Sequence, residues 1–192
     1  MKKAVIIAFD NFTDIDVFLP WDLLNRVRLL QKDFEVKIIG TATEHRSSCG
    51  ISLAMQGQIE ESREADLVFF ASGSGTRALY KNKIYLDRFQ LNAGRQIICS
   101  MCSGALLLAG LGLLDGITAT TYPSVFSELK AMGIDVIEDH HLVTHGNIAT
   151  AAGCLAAVDL LGWAVEKLYD EKTAQAMIAA VLPIGQGQVC IY

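Results

Sequence analysis

Gln96-Ile-Ile-Cys-Ser-Met-Cys-Ser-Gly-Ala-Leu-Leu-Leu-Ala109 decides how this chain is read. Its first half is a short apolar run of the kind shown by a strand buried on both faces. Its second half opens an apolar helix, Ser103 to Leu113, that Asp115-Gly116 stops. Only Cys102 and the small residues Ser103, Gly104 and Ala105 separate the two. So tight a strand-to-helix turn exposes the side chain at its apex, and small neighbours permit the close backbone approach the turn needs. A helix start also brings backbone N–H groups and partial positive charge to the sulfur. That predicts a thiolate, the nucleophilic form, at Cys102. The plain alternative is a small buried core residue, the commonest fate of a free cysteine.

Working outward, Lys3 to Ala8, Phe34 to Ile39 and Asp66 to Ala71 are further apolar runs closed by turn residues, and each reads as a strand. Between and after them lie helical patterns. These are Pro20 to Leu30 with proline in the first turn, Ile84 to Ala93, Ser124 to Met132, Leu155 to Leu168 and Glu171 to Val181. Short strands are expected near Ile51 to Met55, Thr118 to Thr121 and Ile134 to Ile137. Two more, at His141 to Thr144 and Asn147 to Thr150, are joined by a His145-Gly146-Asn147 turn. Strands alternating with helices predict an α/β fold, a mostly parallel sheet with helices on both faces. No linker, repeat or low-complexity segment divides residues 1–192, so one domain is expected. Sites in such sheets lie beyond the carboxyl ends of the strands. Three loops therefore matter, those after Ala8, Ala71 and Ser100.

The bulk numbers narrow the function classes. A chain of 192 residues with 52% hydrophobic and 19% charged residues buries a core and is not disordered. A net charge of −5 without a basic stripe argues against nucleic-acid binding. The apolar stretch Ala4 to Phe9 behind Lys2-Lys3 is too short for a signal peptide, and Ala105 to Leu114 is too short to span a membrane. A soluble cytoplasmic protein is the expectation. Five cysteines with no export signal predict no disulfide framework.

The remaining chemistry-bearing residues are weighed one at a time. Cys99 and Cys102 form a C-x-x-C, but Cys99 falls inside an apolar strand, so a dithiol role is the lesser reading. Cys49, Cys154 and Cys190 have no supporting context and read as structural. Ser72-Gly-Ser-Gly-Thr-Arg-Ala78 matches G-x-G-x-x-A only formally, with no acidic strand end at the right distance. It reads better as a turn whose N–H groups face the Cys102 loop and stabilise negative charge on a reacting substrate. The first loop offers Asp10, Asp14 and Asp16. A carboxylate beside a thiol can take a proton or position water, whereas capping or solvated charge is the favoured reading for Asp10 and Asp14. His140, His141 and His145 lie in a strand-turn pattern without a completed ligand set, so no metal is expected.

Taken together, the loops resemble the ThiJ/PfpI superfamily, a flavodoxin-like, three-layer branch related to class I glutamine amidotransferases. The resemblance runs from Lys3 to about Pro183. It rests on Ile98 to Ala109, Gly112 to Thr121, Asn147 to Gly153 and Asp16-Val-Phe-Leu-Pro20. It implies Cys102 as the reactive cysteine and Asp16 as the acid that hydrogen-bonds it or holds water. It also implies the backbone amides of Gly73 and Ser103 as oxyanion-hole donors. Asp16, with serine following the cysteine, is most similar to the isocyanide hydratase branch, which converts isocyanides to N-substituted formamides through a thioimidate without metal or organic cofactor. Other readings within the resemblance are a protease or amidase, a glyoxalase- or deglycase-type enzyme, and a redox or stress-responsive protein sensing oxidation at Cys102. Some relatives sense ligands in transcription regulators, but no segment here reads as a helix-turn-helix. A small-molecule substrate and a homodimer, with Trp21 and the first helix at its interface, complete the expectation. Three positions depart from the pattern: Leu19 stands where glycine is usual, Ala71-Ser72-Gly73 replaces Pro-Gly-Gly, and Tyr122 sits where many relatives carry histidine.

Overall fold

The computed structural model describes residues 1–183. The chain runs β1 (Lys2–Ile7), α1 (Asp14–Leu30), β2 (Phe34–Ile39), β3 (Glu44–Arg46), β4 (Ser52–Ala54) and β5 (Leu67–Phe70). It continues α2 (Thr76–Leu79), α3 (Lys83–Leu86), β6 (Ile97–Met101), α4 (Ala105–Gly110), β7 (Thr118–Ala119), α5 (Phe126–Ala131) and β8 (Asp135–Val136). The last elements are β9 (Leu142–His145), β10 (Ile148–Ala151), α6 (Ala157–Leu168) and α7 (Glu171–Ala179). Single 3₁₀ turns precede α4 at Cys102–Gly104 and α6 at Cys154–Ala156.

The main sheet has six strands in the order β2-β1-β5-β6-β10-β9. Every pairing is parallel except the β9–β10 hairpin at one edge. Helices α1, α6 and α7 pack together on one side, and α4 packs with α2 and α5 on the other. This is the flavodoxin-like arrangement, and its central strands are apolar throughout because both faces are covered. In β5 and β6 every residue is buried. Two small two-stranded sheets, β3–β4 and β7–β8, stand apart from the main one.

Two sequence expectations shift. Helix α1 begins at Asp14, so Pro20 lies inside the helix instead of in its first turn. Proline there deprives the Asp16 carbonyl of its N–H partner. The helix persists because Val17, Leu23, Leu24 and Val27 are fully buried on its inner face. The added turn carries Asp16 into the protein. The helix expected over Ile84 to Ala93 shortens to α3, capped where the Asn82 side chain accepts the Tyr85 N–H at 3.2 Å. Cys190 lies outside the described residues.

Register explains why the loops converge. Phe70 of β5 pairs with Ser100 of β6, and Met101 of β6 pairs with Ala151 of β10. Continued past the strand ends, this alignment flanks Cys102 with Ser72 on one side and the Ala152-Gly153-Cys154 segment on the other. Gly104 lets α4 start so close to the sheet. A Cβ there would stand 2.7 Å from the Phe70 carbonyl oxygen and 2.8 Å from that of Ala71, both backbone atoms. Gly104→Ala is therefore expected to lower stability by about 1–3 kcal/mol in urea denaturation, as an overpacked core does, and to reduce Cys102 alkylation by displacing the turn.

Candidate active site

Cys102 has φ 47, one of two positive-φ residues other than glycine among the described residues. Such a backbone costs on the order of 1–3 kcal/mol and persists only where the surroundings enforce it. Here they do. The Thr121 hydroxyl donates to the Cys102 carbonyl at 2.7 Å, and the same carbonyl accepts the Ala105 N–H as the 3₁₀ turn closes. The strain turns the side chain out of the sheet and into a pocket of about 280 Å³ lined by Asp16, Ser72, Gly73, Arg77, Tyr122 and Cys154 among others.

Asp16 sits in the first turn of α1 and is buried, with 1% exposure. The Ser72 hydroxyl donates to its Oδ2, while Oδ1 has no hydrogen-bond partner. An Asp16 carboxylate oxygen and the Sγ atoms of Cys102 and Cys154 all lie within 4.8 Å of one another. These three groups are also the one set of ligating side chains close enough to share a metal ion among the described residues, one donor short of a closed tetrahedral site.

The electrostatics differ from the sequence expectation. Burial pushes the Cys102 thiol up to about 12, and the Asp16 charge adds to the shift, while the Gly153 backbone N–H directed at the sulfur works the other way. Burial and the Asp16 charge thus oppose the thiolate that the helix start favours. The turn that follows Cys102 is a 3₁₀ segment leading into a short α4, and its dipole does not outweigh desolvation. Burial likewise raises the Asp16 carboxyl above the ordinary carboxylate range, opposed by the Ser72 hydroxyl and then by the two thiols. Cys154 is pushed up to about 11 by burial and by Asp16. The pocket resists carrying more than one negative charge.

Other expected residues are placed as follows. The Ser103 hydroxyl lies 3.2 Å from both the N–H and the carbonyl oxygen of Gly73, so the two loops meet at the pocket wall. Gly73, at φ 152, admits no side chain, since a Cβ would stand 2.2 Å from the Asn11 carbonyl oxygen. The glycine-rich turn is thus a close backbone crossing against the first loop. Asp10 accepts the Arg46 N–H at 3.0 Å and lies 3.2 Å from the buried His45 ring, and Asp14 accepts the Cys49 N–H at 3.2 Å. Both tether the β3–β4 segment and lie outside the pocket lining. Cys99 is fully buried in β6. Odd and even strand positions face opposite sides and three residues span roughly 10 Å, so it cannot pair with Cys102. His140 contacts Asp139, His141 contacts Asp159, and His145 contacts Thr118, so the three do not converge. Leu19 packs against the core and does not line the pocket.

Two functional neighbours escaped the sequence reading. Ser72, a departure from the family pattern, is the hydroxyl that holds Asp16. Cys154, read as structural, stands in the pocket. Its signal was available: it follows the carboxyl end of β10, a fourth strand-end loop beside Cys102.

Residues 2–167 match the DJ-1/PfpI family profile. The chain belongs to the DJ-1/PfpI family. Among curated relatives, isonitrile hydratase from Pseudomonas putida is 27% identical over 170 residues, covering 88% of this chain and 73% of the relative. A deglycase from Pyrococcus horikoshii is 24% identical over 168 residues, covering 84% and 94%. The structure of a ThiJ/PfpI family protein from Pseudomonas syringae superposes with a TM-score of 0.82 at 22% identity, over 97% of this chain and 79% of that one. The fold is that of the DJ-1/PfpI family.

The raised Asp16 carboxyl carries a stability consequence. A carboxyl whose folded pKa lies above its unfolded value stabilises the fold below the ordinary carboxylate pKa and loses that contribution as pH rises through the folded value. Once ionised, Asp16 costs stability. Asp16→Asn is expected to raise Tm by about 2–4 °C at pH 7, roughly 1 kcal/mol for a chain this size, with the gain vanishing at acid pH. The same variant removes a negative charge beside Cys102, so the pH profile of iodoacetamide alkylation should shift to lower pH than in the native chain.

Proposed function

We propose that this DJ-1/PfpI protein is a cysteine-dependent hydratase that converts small isocyanides to N-substituted formamides. The observation that carries the reading is the pairing of the Cys102 thiol with a buried carboxyl, Asp16, in a pocket that no histidine lines among the described residues. Tyr122, half exposed at the pocket, stands where a Cys-His hydrolase would need its base. Amide cleavage requires a group that protonates a leaving amine. Hydration has no leaving amine, so one carboxyl suffices. The 27% identity to isonitrile hydratase supports the same choice, isonitrile and isocyanide being one functional group.

The mechanism uses the neutral thiol. Cys102 Sγ attacks the terminal isocyanide carbon as Asp16 takes the S–H proton. That proton is returned to the same carbon, giving an enzyme thioimidate. Asp16 then takes a proton from water as its oxygen adds to the thioimidate carbon. The C–S bond breaks, and nitrogen and sulfur end protonated, releasing the formamide. Atoms balance as isocyanide plus water to formamide. The N–H groups of Gly73 and Ser103 are assigned to the charge that develops on the substrate, with the substrate displacing the Ser103 hydroxyl from the Gly73 N–H. Ser72 keeps Asp16 oriented through its hydrogen bond to Oδ2, leaving Oδ1 without a hydrogen-bond partner. A volume of about 280 Å³ lies just under the range for drug-sized ligands, which selects small alkyl or aryl isocyanides.

Formamide release from an aryl isocyanide, followed by chromatography, tests this. Wild type is expected to turn over and Cys102→Ala to show none. Asp16→Asn should lower kcat by about 10²–10⁴-fold, and Ser72→Ala should lower it by about tenfold, the cost of one charge-assisted hydrogen bond. Absence of wild-type turnover removes the hydratase reading.

A further inference from the structure

We infer that Cys154 is a resolving thiol for Cys102, and that oxidation of the site by a hydroperoxide closes a Cys102–Cys154 disulfide across the active-site pocket. This modification site is independent of the hydratase reading, because it rests on the position of a second thiol that hydration does not use.

Four observations converge on it. The two sulfurs lie within 4.8 Å of each other, so either can reach disulfide bonding distance, about 2.05 Å, by a movement of less than about 3 Å. Both side chains line the same pocket, so a small oxidant that reaches one reaches both. Cys102 is fixed by its enforced backbone and the Thr121 hydrogen bond, whereas Cys154 opens the 3₁₀ turn before α6 beside an uncrowded glycine. Gly153 before it has φ 90, with open space where a Cβ would stand, and Leu155 after it is 74% exposed. Finally, the other cysteines among the described residues are out of place. Cys99 is sealed in β6, and Cys49 is exposed and outside the pocket lining.

The chemistry balances with Asp16 as proton carrier. Cys102 Sγ attacks one peroxide oxygen and loses its proton through Asp16. The O–O bond breaks, and water or an alcohol leaves with that proton, giving the sulfenic acid. Cys154 Sγ then attacks Cys102 Sγ. The S–S bond forms, the S–O bond breaks, and the hydroxyl leaves as water with the Cys154 proton. Two thiols lose one electron each and one hydroperoxide gains two. An external dithiol reverses the step by thiol–disulfide exchange. Without Cys154 the sulfenic acid has no neighbouring thiol among the described residues and is open to further oxidation to the sulfinic acid.

Peptide mapping by mass spectrometry, without reductant and after dilute hydrogen peroxide and alkylation, decides the matter. The wild-type chain is expected to yield a linked Cys102–Cys154 peptide pair that dithiothreitol dissolves. Cys154→Ser, checked by circular dichroism, should yield Cys102 sulfinic acid at several times the wild-type level, with Cys154→Ala as the second variant. Wild-type chain that shows Cys102 sulfinic acid with Cys154 still alkylated, or a disulfide from Cys102 to any other cysteine, overturns the proposal. A chain that forms the disulfide yet does not hydrate isocyanides loses only the functional reading, and one that hydrates without forming it loses only this inference.

Discussion

The site depends on one unfavourable backbone conformation. At φ 47, Cys102 occupies a region that non-glycine residues avoid, and the fold around it is arranged to keep it there. Strand β6 delivers the residue from a fully buried ladder, Gly104 lets the next turn press against the β5 carbonyls, and Thr121 anchors the Cys102 carbonyl from a distant loop. Release of any of these would let the backbone relax and withdraw the sulfur from the pocket. The strain is stored at the place where chemistry needs a side chain presented against its local preference.

A second constraint follows from burying ionisable groups together. Asp16, Cys102 and Cys154 share a small, poorly solvated volume in which each negative charge disfavours the next. The outcome is that thiol and carboxyl both gain affinity for protons. It also places a stability cost at the centre of the protein, of the kind functional sites commonly carry.

The DJ-1/PfpI relatives show how little of this is set by the fold. A hydratase and a deglycase lie at similar distances in sequence, 27% and 24% identity, and one scaffold hosts many chemistries. Around Cys102 this chain sets Ser72 on the carboxyl, Tyr122 at the pocket and Cys154 beside the Cys102 sulfur.

The sequence by itself determined the sheet and the turn that carries Cys102. Short, largely apolar runs such as Ile97 to Met101, closed by turn residues, read as strands covered on both faces, and the small residues after Cys102 mark a sharp turn, so local chemistry sufficed. Asp16 was singled out from the other first-loop carboxylates by the resemblance of short motifs. Tertiary structure decided the rest. Pro20 was read as a helix start because the burial that carries α1 back to Asp14 is not a local property. The opposition to a thiolate at Cys102 was not legible because desolvation depends on everything packed around the sulfur. Ser72 and Cys154 joined the site because parallel register aligns the ends of β5, β6 and β10, placing side chains from residues 72, 102 and 154 in one pocket. Proximity of that kind is created only when the strands pair.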